Sequence, residues 1–139
     1  MNKVIFVITA LLSFNIYAFN FSGVWTGKGE GQTPKRSFKC DDVEMRVHIQ
    51  DDKMILRGGH YNCTGLSAEY PYSTFKINNG NLIQKDKIVG SIDAQTILLK
   101  SPADGFELTL NLYKGKLYFT ESWIEGENYL IIGAELTKN

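Results

Sequence analysis

The sequence predicts an all-β protein, a single antiparallel up-and-down meander closed as a barrel of eight to ten strands. Three observations lead there. Apolar and polar residues alternate with a period of two, as in Val43, Met45, Val47 and Ile49 against Glu44, Arg46, His48 and Gln50. Turn dipeptides punctuate such stretches, and Asn79-Gly80 and Lys114-Gly115 both accept the positive φ angles of a type I′ hairpin turn. The pairings imposed by successive turns agree in placing apolar residues on one face. Closing the meander into a barrel removes both exposed edges; a two-sheet sandwich is the alternative.

The first eighteen residues read as an address. Lys3 is the only charge before Lys28, Val4 to Phe14 is an apolar run, and the less regular SFNIYA ends at Ala18. That is the order of a secretory signal peptide, too short to span a bilayer; an uncleaved anchor is the rival reading. Cleavage after Ala18 leaves residues 19–139 as a single β-barrel domain, exported to the periplasm or the extracellular space, with no stable membrane span. Once Lys3 is removed, 14 basic residues stand against 15 acidic ones, with no basic run. This balance gives no reason to expect a nucleic acid or an anionic membrane surface as partner.

Strands are expected over residues 21–30, 38–50, 53–64, 69–78, 81–85, 87–93, 95–101, 105–113, 116–124 and 128–137. The first carries Gly23, Gly27, Gly29 and Gly31 at odd positions beside Phe21 and Trp25. Missing side chains suit a strand that must bend sharply on its concave face, and Trp25 then plugs the closed end. Gly23-Val24-Trp25 resembles the G-x-W signature on the first strand of the lipocalin-like (calycin-like) families. The resemblance implies a small secreted barrel with a basic residue packed on the tryptophan near the last strand. The arginines, at 36, 46 and 57, all lie early, and the later T-D-x motif of the lipocalins is absent.

Cys40 and Cys63 are the only cysteines, and an exported protein meets an oxidising compartment. A two-residue tip at Asp51-Asp52, carried along both strands without interruption, pairs Cys40 with Cys63. A disulfide there closes a 24-residue loop, worth roughly 3.5 kcal/mol in the chain-entropy model. The same register pairs His60 with Val43 on the apolar face and leaves Cys40, Cys63 and His48 on the other. His60 is therefore expected to be much more buried than His48, and a zinc or haem site built from these residues is disfavoured. No C-x-x-C occurs, so thiol redox catalysis has no support.

The later hairpins bear on a site. Lys114-Gly115 pairs Leu112 with Leu117, Leu110 with Phe119, Leu108 with Glu121 and Phe106 with Trp123. A tip at Glu125-Gly126 would set Phe119 beside Ile132 and Glu121 beside Leu130. Glu121 thereby falls on an apolar face, where a carboxylate must be paired, hydrated or protonated. Either it anchors the polar end of an apolar pocket, or it lies at the barrel mouth and reaches water. Phe106, Phe119, Glu121 and Trp123 are the candidate ligand-binding residues. Tyr61, Tyr70 and Tyr72 form a second cluster, open between pocket rim, partner contact and ordinary strand aromatics.

Catalytic signatures are missing: the chain has no G-x-S-x-G, no H-E-x-x-H and no phosphate-cradling glycine loop. No enzyme activity, cofactor or metal is expected. Two function classes remain. One is an exported binding protein holding a small apolar or amphipathic molecule inside the barrel; the other is an interaction or inhibitor barrel whose loops engage an extracytoplasmic protein. The interior decides between them, since a barrel of this size can enclose one ligand or be filled by its own side chains.

Overall fold

The computed structural model describes residues 20–139, so the expected signal peptide lies outside the described residues. The first five strands are β1 (Gly23–Gln32), β2 (Ser37–Gln50), β3 (Lys53–Cys63), β4 (Leu66–Tyr70) and β5 (Ser73–Asn78). β6 (Asn81–Gln84), β7 (Lys87–Ile92), β8 (Thr96–Ser101), β9 (Phe106–Tyr113), β10 (Lys116–Glu125) and β11 (Asn128–Lys138) complete the sheet. Every pairing is antiparallel, and β1 pairs with both β2 and β11. The meander therefore closes as an up-and-down barrel, not as a sandwich.

β4 and β5 act as one broken stave, which makes ten staves from eleven strands. β4 pairs with Gly59–Cys63 of β3 and β5 with Lys53–Leu56 of the same strand. Pro71 sits in the gap, where it has no N–H to give to a ladder. Sequence patterning had run these two strands together as residues 69–78.

Tight turns form where the dipeptides indicated. Asn79 and Gly80 have φ of 51° and 78°, and Lys114 and Gly115 have 51° and 79°, the double positive φ of a type I′ turn. Ile77 pairs with Leu82, and the β9–β10 hairpin sets Leu110 opposite Phe119, Leu108 opposite Glu121 and Phe106 opposite Trp123. The last hairpin differs from expectation. Glu125 pairs with Asn128, so the tip is Gly126-Glu127, and Glu121 faces Ile132 where Leu130 was expected. Gly126, with φ of 60°, takes the strained position. The error is two residues, which leaves every side chain on its expected face.

An interruption of one residue has larger consequences. The β2–β3 ladder shifts between Arg46 and Val47, where Arg57 is the extra residue, and back between Cys40 and Asp42, where Asp41 is extra. Each bulge inverts the inward parity of its own strand, so that β3 passes from Met54 and Leu56 to Tyr61, and β2 from Cys40 to Val43 and Met45. His60 consequently pairs with Glu44 rather than Val43, points outward and bonds Asp42 through Nε2 at 2.7 Å. The expected burial contrast between the histidines fails, both being partly exposed. Tyr61 takes the interior position instead, 3% exposed. The second bulge restores the register, so Cys40 and Cys63 are partners after all and form a disulfide. Cys40 belongs to the buried core, not to the polar face.

At the end of the barrel where the described chain begins and ends, Trp25 is 2% exposed and its Nε1 donates to the Phe21 carbonyl at 2.8 Å. The Lys138 ammonium, from the last strand, lies 5.1 Å from the centre of the Trp25 ring. A lysine thus fills the place of the basic residue, which none of the three arginines occupies. The glycine face of β1 also finds its reason. A Cβ on Gly29 would lie 2.1 Å from the Gly133 carbonyl oxygen, and one on Gly31 would lie 2.1 Å from the Phe38 ring. β11 and Phe38 approach β1 too closely for any side chain there.

Candidate functional site

Among the described residues, Glu121 is the one charged residue in the buried interior, 2% exposed. Alternation along β10 turns it inward with Leu117 and Phe119, and its cross-strand neighbours are Leu108 and Ile132. The reading in which it lies at the mouth and reaches water is therefore excluded by its burial. Its carboxylate is satisfied within the protein. Tyr61 Oη donates to Oε2 at 2.8 Å, and Tyr70 Oη donates to Oε1.

Local structure explains how two tyrosines reach one carboxylate. The bulge at Arg57 rotates Tyr61 into the barrel, and Gly58-Gly59, with φ of 131° and 158°, accommodate the distortion. Tyr70 is the final residue of β4, immediately before the Pro71 break, and pairs with Gly59. The two rings meet edge-on at 6.3 Å between centroids, and Phe119 packs against both, at 6.5 Å from Tyr61 and 6.2 Å from Tyr70. Burial first, and then the Glu121 carboxylate each one bonds, pushes both phenols well above the ordinary tyrosine range. Both hydroxyls remain protonated donors at any physiological pH.

A cavity of about 300 Å³ opens beside this triad, between β4 and the ends of β8, β9 and β10. Leu56, Leu99, Leu108 and Phe106 give it an apolar wall, and Tyr61, Tyr70 and Glu121 form its polar end. Trp123 stands at the rim, 40% exposed, its ring 4.6 Å from that of Phe106. The volume corresponds to roughly ten waters at liquid density, so the barrel interior is only partly filled by its own side chains.

Three of the four sequence-derived candidates, Phe106, Glu121 and Trp123, line this cavity together. Phe119 does not; it is 1% exposed and lies behind the tyrosines. Sequence reasoning missed the role of Tyr61 and Tyr70, because an unbroken register had turned Tyr61 outward. The available signal was Gly58-Gly59, a glycine pair inside a strand, which commonly marks a bulge. Tyr72, the third of that cluster, is 66% exposed and stands apart from the triad. Among the described residues no group of three or more His, Cys, Asp or Glu side chains is placed to hold a metal ion.

The fold and the cavity define an antiparallel up-and-down β-barrel with a partly open interior pocket. No protein-family model matches the chain, and no curated protein sequence matches it. Among solved structures it is similar to the zebrafish ileal bile acid-binding protein complexed with cholic acid, at 12% identity and a TM-score of 0.44, over 86% of this chain and 99% of that one.

Proposed function

We propose that this chain is an exported, non-catalytic binding protein that holds a small amphipathic molecule in the cavity beside Glu121. One observation carries the reading: a buried carboxylate, fixed by two hydroxyls, closes one end of an otherwise apolar cavity whose rim reaches solvent. Small-molecule sites are commonly built this way, from apolar walls with a few convergent polar groups. Phe106 and Trp123 would contact the apolar part of the ligand, and Glu121 with its tyrosines would orient the polar part. The Cys40–Cys63 disulfide supports export, since such bonds persist in oxidising compartments. Gly23-Val24-Trp25, with Lys138 over the indole, supports placing the barrel among the lipocalin-like (calycin-like) proteins.

Native mass spectrometry of the protein purified from its own host tests the proposal, with a co-purifying small molecule as the expected result. Ligand addition should also shift the emission of Trp123, and the shift should vanish in Trp123→Phe while Trp25 still emits. A protein that carries nothing, and whose emission no small-molecule pool alters, would sink the carrier reading. Contact with an extracytoplasmic protein through the loops would take its place.

A further inference from the structure

The chemistry of the pocket's polar end specifies the sign of its ligand. One carboxylate, that of Glu121, lies at the polar end of the cavity, and no lysine, arginine or histidine lines it; Glu69 pairs with the outward-facing His60 and is exposed on the outer face of β4. The lining hydroxyls are already committed as donors. Tyr61 and Tyr70 give their protons to Glu121, and Ser73 Oγ donates to the Pro71 carbonyl at 3.3 Å. What these side chains still offer is acceptor capacity. An ionised carboxylate has about four lone-pair sites, of which the tyrosines use two, and each phenol oxygen keeps an acceptor position. None of the ion pairs among the described residues involves Glu121.

An anionic head group entering this end would meet the Glu121 carboxylate and no free side-chain donor. A neutral hydroxyl could use one acceptor and leave the others without donors. An ammonium group brings three donors and a positive charge, which matches the acceptors and compensates a carboxylate that is otherwise held in a low-dielectric interior. The walls suit an apolar tail on that head group, because Phe106 and Trp123 pack together toward the rim, at 4.6 Å between ring centres.

Building on the carrier reading above, we propose that the pocket selects an organic cation, a primary amine in its ammonium form bearing an apolar tail, with its charged head beside Glu121 and its tail against Phe106 and Leu108. The test uses three probes of one tail length, n-octylammonium, n-octanol and n-octanoate, titrated into the disulfide-bonded protein and followed by NMR at the Tyr70 and Trp123 side chains. Octylammonium should bind about tenfold or more tightly than either of the others, the scale of a charge-assisted hydrogen bond to a buried carboxylate. Glu121→Gln, which keeps the shape and removes the charge, should abolish that preference. Should that variant not fold, Tyr70→Phe, which frees an acceptor position on Glu121 and keeps its charge, should raise the preference as read at Trp123.

Equal or tighter binding of octanol or octanoate at Tyr70 and Trp123 would overturn the cation assignment and leave the carrier reading standing. Failure of all three probes to perturb either side chain would overturn both. A preference for octylammonium that Glu121→Gln leaves unchanged or, where that variant does not fold, that Tyr70→Phe does not raise, would show that the charge is read elsewhere, and would also overturn the assignment.

Discussion

Tyr61 and Glu121, sixty residues apart, meet inside the barrel through a 2.8 Å hydrogen bond that joins β3 to β10 across the interior. Neither residue is buried at tolerable cost without the other. A bare carboxylate in the core is expensive, and an unbonded phenol there is only less so. The bond therefore ties a functional feature, the polar end of a cavity, to a fold feature, the bulge at Arg57 that turns Tyr61 inward.

Removing the donors and leaving the acceptor should be worse than removing all three groups. Tyr61→Phe and Tyr70→Phe are each expected to lower stability by about 1 to 3 kcal/mol, because Glu121 keeps its burial and loses a partner. Adding Glu121→Met to the double phenylalanine variant should recover part of that loss, since an apolar set of similar shape leaves nothing unsatisfied. Urea unfolding of the single, double and triple variants checks this. A triple variant less stable than the double one would mean that packing, not hydrogen bonding, sets the energetics here.

The same bonds predict an alkaline limit. Both phenols have folded-state pKa values raised above the ordinary 10.0, by burial first and by the Glu121 carboxylate next. A raised folded value means that the stability they contribute is fully present below pH 10, and is lost as pH rises above it, where the unfolded chain releases protons that the folded one retains. Unfolding free energy measured from pH 8 to 11.5 should stay level with respect to these groups and then fall. The fall should be shallower in Tyr61→Phe/Tyr70→Phe. Parallel curves for the two proteins would show that other groups drive the alkaline transition.

The legible and illegible parts of this site divide along physical lines. Lys114-Gly115 fixes a two-residue turn, so the pairing of Phe106 with Trp123 and of Leu108 with Glu121 follows from the sequence and is found. Misplacing the last turn by two residues did no harm to the faces, because side chains alternate with a period of two. Bulges are different, since each adds one residue and inverts everything beyond it. Arg57 and Asp41 carry no local mark, and only Gly58-Gly59 hints that β3 departs from regularity. Cys40–Cys63 survived as a prediction because the two bulges cancel. His60 and Tyr61 lie between them, and their roles were exchanged.

The disulfide itself makes a prediction about chain entropy. It spans 23 positions between β2 and β3, and Cys40 is buried in the core. Cys40→Ala/Cys63→Ala should fold to the same barrel, since ten staves close independently of the link, and should lose about 3 kcal/mol. Urea denaturation of the variant, and of the natural protein under reductant, should agree in midpoint to first order. Loss of the folded state altogether would mean that the bulge at Asp41 depends on the covalent link.

Phe119 and Trp123 stand four residues apart on one face of β10, yet their burial assigns them opposite duties. Phe119 is 1% exposed and supports both tyrosine rings without lining the cavity, whereas Trp123 is 40% exposed at the rim. Truncating a fully buried phenylalanine typically costs about 3 to 5 kcal/mol, and a residue that keeps two fifths of its surface in water has far less burial to lose. Phe119→Ala is therefore expected to reduce stability sharply, and to alter ligand affinity only through the loosened tyrosines. Trp123→Ala should cost less than about half as much stability and weaken octylammonium binding by about tenfold, through loss of apolar contact with its tail at the rim. Thermal unfolding and NMR titration of both variants, at a temperature where each remains folded, separate the two effects. If Phe119→Ala loses affinity and Trp123→Ala does not, the ligand sits deeper than the cavity beside Glu121, and the rim has no part in holding it.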